Sequence, residues 1–167
     1  KEVSKKLDLV RRERLSSDKA STRELSKAPH RFEVRSYRPT DSIIVPRHSS
    51  ENRAYIPIGY LGPDTVISDG ANAIYDAEPW LFALLTSRMH TVWVRAVGGK
   101  IKTDYRYSNT IVYNNFPVSE IADNQKAQLT ETALRILDVR EYHCERTLAE
   151  LYDRDSMPRN LREAHEA

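Results

Sequence analysis

Between Arg95 and Arg106 the chain sets Arg95, Lys100, Lys102 and Arg106 within twelve residues, with Asp104 as the single opposing charge. Two of these cations follow the Gly98-Gly99 pair, where a turn can hold ammonium groups against adjacent phosphates. Tyr105, Tyr107 and Tyr113 are interleaved with them, and phenols can hydrogen-bond phosphates or stack on bases. Ser108-Asn109-Thr110 and Asn114-Asn115 then bracket a short apolar run. Asparagine can pair bidentately with adenine in the major groove, and serine or threonine can contact almost any base edge. The pattern predicts phosphate contacts from Arg95, Lys100, Lys102, Arg106, Tyr107 and Asn114, and base contacts from Asn109 and Thr110. A solvated basic loop, half-buried tyrosines and turn-forming amides account for the same residues one at a time.

Two further clusters carry polar chemistry. Ser49-Ser-Glu-Asn-Arg53 holds Glu51 and Arg53 in one loop, and arginine reads guanine while a carboxylate accepts from cytosine N4. An internal Glu51 to Arg53 ion pair fits that loop equally well. Asp76-Ala77-Glu78 precedes a helix, where carboxylates favour the dipole without any further role.

Catalytic chemistry is not visible. The five histidines, His30, His48, His90, His143 and His165, stand apart from any paired acid or nucleophile, and none has metal-ligand spacing. Cys144, the single cysteine, lies in an acidic stretch that reads as helical, a setting that does not mark a nucleophile. No glycine-rich cofactor loop, no Asn-Pro-Pro-Tyr-type methyltransferase site and no cluster of nuclease carboxylates with a lysine occurs. The chain therefore reads as a non-catalytic, cofactor-free and metal-free binding piece of a longer soluble protein.

The elements that must position these residues are legible from periodicity. Lys5 to Lys27 has no glycine or proline and reads as helix, broken near Ser16-Ser17-Asp18, with Ser17 or Asp18 as a cap for the second piece. Its thin apolar stripe of Leu7, Val10, Leu15 and Leu25 predicts packing against a neighbour. Phe32–Tyr37, Ser42–Pro46, Ala54–Tyr60, Val66-Ile67 and Ala73–Tyr75 read as short strands, with Pro46 and Pro57 at edges or ends. Pro79 opens a helix running to Val97, with Leu81, Leu84, Leu85, Met89, Val92 and Ala96 at three- and four-residue spacing. Strands over Asp104–Ser108 and Thr110–Tyr113 follow, then a long helix from Asn124 to about Tyr142, a short one around Thr147–Tyr152 and a charged tail. The class is α+β, a mixed short-strand sheet with one central helix, flanked by N-terminal and C-terminal helices. The division is a helical lead-in at 1–28, a recognition domain at 29–118 and a C-terminal helical segment at 119–167.

Charge follows this division. The net value of +2 conceals nine Lys/Arg against five Asp/Glu in residues 1–30, ten against eight in 31–118, and seven against eleven in 119–167. The first two segments suit a polyanion. No apolar stretch approaches the roughly 18 residues of a membrane span. A rival from another class is a protein-interaction module that docks through the acidic helices and aromatic strands.

The order of short motifs resembles the MmeI-like (type IIG/IIL) restriction-modification enzymes. It includes Pro29 to Phe32, Ile44-Val-Pro46, Ser49-Ser-Glu-x-Arg-x-Tyr-Ile-Pro-Ile-Gly59, Leu85-Thr-Ser87, Asp104-Tyr-Arg-Tyr-Ser108, Val112-Tyr-Asn-Asn-Phe-Pro117, Thr147-Leu-Ala-Glu-Leu-Tyr-Asp153 and Met157-Pro158. Val118-Ser119 replaces the aromatic and proline of many relatives, and Gly98 a cysteine or other small residue. Members fuse an endonuclease, an adenine-N6 methyltransferase that uses S-adenosylmethionine, a target recognition domain and C-terminal helices. The resemblance implies that this chain corresponds to the last two and binds double-stranded DNA. S-adenosylmethionine and Mg would then belong to methyltransferase and nuclease domains of the same polypeptide, in the cytoplasm of a bacterium or archaeon. It also implies that base preference is set by Glu51 and Arg53, by Asp76 and Ala77, and by Asn109, Thr110 and Ile111.

Overall fold

A computed structural model describes residues 1–167, and they form two compact units, Lys1–Tyr37 and Arg38–Ala167. The first contains helices α1 (Glu2–Leu15) and α2 (Ala20–Glu24) and a 3-10 turn at Leu25–Lys27. The break falls where Ser16-Ser17-Asp18 predicts it. Lys19 is the helix-capping position, and the Ser17 hydroxyl accepts from its amide (3.3 Å). None of the α1 residues is buried. Arg14 fastens this unit to itself: its guanidinium donates to the carbonyls of Leu25 (3.0 Å), Ala28 (3.1 Å) and Arg31 (2.7 Å). Phe32–Tyr37 forms no strand.

The second unit is α+β, with short strands in two three-stranded antiparallel sheets. In the first sheet β1 (Ser42–Pro46) is central, between β3 (Gly59–Leu61) and β4 (Ala71–Tyr75), with Ile43 opposite Tyr60 and Ile74. Both Ile43 and Val45 are buried, as expected of a central strand rich in β-branched residues. Most of Ala54–Tyr60 is extended without pairing, because Pro57 removes a donor and strand structure begins only at Gly59. Val66-Ile67 likewise forms no strand.

The helix expected over Pro79–Val97 divides into α3 (Pro79–Thr86) and α4 (Arg88–Val97). Ser87 is extended (ψ 159°), and its hydroxyl accepts from the His90 amide at 3.1 Å, so it caps α4 and starts a new helical direction. The apolar spacing that runs through the break does not mark one buried face: Met89 and Val92 are exposed, and α4 turns His90, Thr91 and Val94 inward instead, so periodicity does not reveal the division. That core joins Ile43, Ile58, Phe82, Leu85, Val94 and Val112 to Ala133, Ile136 and Leu161 of the C-terminal helices.

Directly after α4 comes β5 (Gly99–Ile101), then β6 (Asp104–Arg106), which also pairs with β2 (His48–Ser49). Only Gly98 separates helix from strand. A Cβ there would lie 2.4 Å from the Val94 carbonyl oxygen, so the close approach requires glycine. The run expected as a strand over Thr110–Tyr113 is a π-helical turn, Asn109–Tyr113. Its β-branched residues point to strand, but local partners prevail: Asn114 N donates to the Asn109 carbonyl (2.9 Å), and Asn115 Nδ2 takes the Thr110 (2.7 Å) and Ile111 (3.1 Å) carbonyls.

The C-terminal helices are α5 (Asp123–Tyr142), α6 (Leu148–Leu151) and α7 (Arg159–Glu166). Helix α5 packs on α3 and on α7. Thr147 and Glu150 cap α6 reciprocally, which also holds the exposed Glu150 carboxyl below its usual range through the Thr147 amide and hydroxyl. The charged tail is thus partly helical, since Leu161 and Ala164, three residues apart, bury one face among polar neighbours. No helix is long and apolar enough to cross a membrane.

Candidate nucleic-acid interface

The sheet β2-β6-β5 presents the basic cluster. Lys100 lies opposite Tyr105 across the hairpin, with its ammonium 5.4 Å from the ring centroid, and the Arg95 guanidinium approaches the same ring at 6.0 Å. Ile101 pairs with Asp104, so Lys102 and Thr103 form a two-residue tip. Lys102 has φ 57°, a conformation that costs a side-chain-bearing residue about 1–2 kcal/mol. Lys100, Lys102 and Arg106 are exposed, and none forms an ion pair within the chain.

Beside this sheet runs a surface groove of about 670 Å³ lined by Arg47, His48, Asn72, Arg106, Asn109 and Ile111. Its rim is the π turn. Ser108 starts it, its hydroxyl accepting from the Ile111 amide (3.4 Å) and sharing a hydrogen bond with Thr110 Oγ1 (3.0 Å). Trp93 Nε1 donates to the Val112 carbonyl (2.9 Å) and fixes the inner side. Asn109, Thr110 and Ile111 remain exposed, with Asn109 Oδ1 turned to the Thr110 amide (2.9 Å). The Asn109 amide donors and the Ile111 side chain, 54% exposed, are thus presented outward on a backbone that other residues hold. Asn114, also exposed, closes the turn.

Tyr107 has a different place from the one its spacing suggests. It is buried, and its hydroxyl shares a 2.9 Å hydrogen bond with His90 Nε2 beneath the turn. Burial pushes the phenol pKa up and lowers the His90 imidazole to about 4, so both groups are neutral near pH 7. Phe116 meets the His90 ring edge-on at 4.5 Å. This pair is a floor under the turn, not a surface facing a phosphate.

Arg95 and Arg53 are also directed inward. Arg95 Nη2 donates to the Arg53 carbonyl at 2.8 Å. Arg53 Nη1 donates to the Ala149 carbonyl and lies 3.7 Å from Asp153 Oδ2. The ion pair considered between Glu51 and Arg53 is not the one formed. Asp76 sits at the opposite end of β4 from Asn72, about 14 Å along the strand. It adopts φ 56° and accepts from Arg38 Nη1 at 2.8 Å. Ala77 is buried, its carbonyl accepting from the Tyr60 hydroxyl (2.7 Å). The structure therefore brings Arg106, Asn109 and Ile111 to one groove, with Lys100 and Lys102 on the adjoining hairpin, and leaves Asp76 and Ala77 at the far end of the first sheet.

Arg47, His48 and Asn72 join the groove without having been singled out from the sequence. Arg47-His48 fills the gap between the strand ending at Pro46 and the Ser49–Arg53 loop, and its cation immediately after a strand was the available signal. Asn72 enters through its pairing opposite Val45, which spacing alone does not reveal.

Comparison with known proteins identifies the family. A family model described as MmeI, target recognition domain, matches residues 1–120, and one described as MmeI, C-terminal domain, matches residues 121–167. DNA methyltransferase A of Bacillus subtilis (strain 168) is 43% identical over 164 residues, covering 98% of this chain and 18% of that protein. The solved structure of the Type IIL restriction-modification enzyme MmeI in complex with DNA matches with a TM-score of 0.89 and 38% identity, over 98% of this chain and 22% of that one. The chain thus spans about a fifth of the length of each. Matched along its whole length by these two models, the chain belongs to the MmeI family, over the target recognition and C-terminal domains.

Proposed function

We propose that this chain reads a short sequence in duplex DNA for an adenine-N6 methyltransferase and restriction endonuclease carried on the same polypeptide, and catalyses neither reaction itself. The observation that carries the reading is the juxtaposition of unpaired, exposed cations at Lys100, Lys102 and Arg106 with a groove lined by Asn109 and Ile111, between which Thr110 is exposed. Cations on the hairpin would neutralise phosphates and set register, while the turn presents an amide, a hydroxyl and an apolar branch to base edges. Arg47 adds an exposed cation to the lining of the groove. Asn114 at the end of the turn would contact the backbone.

Glu51 would read a base from the loop after β2, and Asp76 from the end of the first sheet away from the groove. Arg53, Arg95, Ala77 and Tyr107, engaged internally, would shape the surface beneath them. In this reading residues 29–118 recognise DNA, 1–28 form a spacer and 119–167 a helical support, in a bacterial or archaeal cytoplasm. In this reading neither S-adenosylmethionine nor Mg²⁺ is held by this chain. It offers no glycine-rich loop, and no three His, Cys, Asp or Glu side chains come close enough to hold a metal ion. Both would serve the catalytic domains.

The test is the methylated-adenine motif left on DNA by the complete polypeptide that carries this chain, with and without Asn109→Lys, read by single-molecule sequencing. A motif changed at one base pair is the expected result, and an unchanged motif at normal activity would remove Asn109 from the reading surface.

A further inference from the structure

The loop that leaves β2 is held by a part of the chain one hundred residues away. Its own turn is modest: Arg53 N donates to the Ser50 carbonyl (3.2 Å) and Asn52 N to Ser50 Oγ (3.3 Å). Residues 152–154, just after α6, run antiparallel across it. Ala54 N donates to the Tyr152 carbonyl (2.9 Å), Arg154 N to the Asn52 carbonyl (3.0 Å), and Arg53 bridges Asp153. The Arg53 guanidinium donates to the Ala149 carbonyl and is 3.7 Å from the Asp153 carboxylate, in a setting where the two side chains are 22% and 38% exposed. Arg154 Nη2 reaches the Glu51 carbonyl at 3.4 Å.

The crossing segment is itself anchored. Tyr152 is fully buried, and its hydroxyl accepts from Arg140 Nε (2.8 Å) and shares a hydrogen bond with His165 Nε2 (2.7 Å). The backbone of the loop is thereby fixed from Glu51 to Ala54, while the Glu51 carboxylate has no partner in the chain. A side chain that must meet one base edge needs such support to within about half an ångström.

From this we infer that Asp153, in the C-terminal segment, is a positioning residue for sequence readout: it grips Arg53 as a strut so that Glu51 meets one base pair. The inference rests on the recognition reading above and assigns to the C-terminal domain a share of the specificity. It also gives Arg53 the role of strut and leaves Glu51 as the reader.

The experiment compares methylated motifs left by the complete polypeptide bearing Glu51→Gln, Asp153→Asn, Arg53→Gln, or the last two together, alongside unfolding midpoints. Asp153→Asn keeps the size and the Oδ1 that accepts from Asp155 N (3.1 Å), and removes the charge facing Arg53. Expected is a loss of discrimination, about tenfold, at the base pair that Glu51→Gln alters and at no other, with an unchanged midpoint. The double variant should be no worse than the poorer single one, because both remove the same contact.

The proposal fails if Asp153→Asn keeps that base pair sharp while Glu51→Gln changes it, a result that leaves the recognition reading intact. It fails also if Arg53→Gln installs a new base preference, since Arg53 would then be a reader, or if Asp153→Asn lowers methylation uniformly with a lower midpoint, the mark of a merely structural role. The recognition reading falls separately, and the proposal with it, if Glu51→Gln and Asn109→Lys both leave the wild-type motif in place.

Discussion

Two regions of the molecule use the same residue types in opposite ways. The β5–β6 hairpin holds Lys100 over the Tyr105 ring, with Lys102 and Arg106 on the same hairpin, all three exposed and without an internal anion. The C-terminal hub holds Arg140 between the rings of Phe82 and Tyr152, only 8% exposed, with its donors on the Ile58 carbonyl (2.8 Å) and the Tyr152 hydroxyl. Cation and aromatic ring meet in both places. What separates them is whether the donors are spent. A buried guanidinium with every nearby acceptor occupied stabilises the fold, while an exposed one with none is available to a ligand.

The largest effect should come from breaking the hub. Arg140→Leu leaves the Ile58 carbonyl and the Tyr152 hydroxyl buried without their donor, and stability should fall by about 3–5 kcal/mol in urea unfolding. A loss under 1 kcal/mol would show that apolar packing alone holds the helices to the strands.

Next in size is the effect of acid, which reaches both regions through their histidines. His90 under the groove is lowered to about 4 by burial, and His165 in the hub to about 3 by burial and then by the charge of Arg140. As pH falls from the ordinary value of 6.5, the unfolded chain takes up protons first. Stability is therefore full above about pH 6.5 and decreases continuously towards pH 4, by on the order of 3 kcal/mol for His90. Thermal midpoints measured from pH 7 to pH 4 check this, and His90→Phe should flatten part of the slope. A midpoint independent of pH would mean that neither imidazole is kept neutral.

The smallest effect sharpens the contrast most. Lys102→Gly relieves the positive φ at the hairpin tip and should raise stability by about 0.5–1 kcal/mol, while lowering the salt dependence of DNA binding by about one unit of slope. A tip that gained stability with an unchanged slope would place Lys102 away from phosphate.

Legibility in the sequence divides along the same line. Features written in local spacing are visible: α5, the short helix after Thr147, the strand Ser42–Pro46 and the basic turn after Gly98-Gly99. Features decided by distant partners are not. Arg53 looks like a free cation because the Ala149 carbonyl and Asp153 lie about a hundred residues on, Arg95 because its acceptor, the Arg53 carbonyl, lies 42 residues back, and the π turn looks like a strand because Trp93 and Asn115 supply its acceptors' partners from outside the β-branched run. Helix α7 is hidden for another reason: with only Leu161 and Ala164 facing inward, eight residues carry too few apolar positions to mark a period.

The single glycine between α4 and β5 bears on how relatives of this chain can diverge. With Gly98 already in contact with the Val94 carbonyl, an added residue would turn the helix end by about 100° and carry the hairpin off the groove. Divergence at this junction is therefore confined to exchange of side chains at constant length, while the solvent-facing tip at Lys102-Thr103 has room to lengthen.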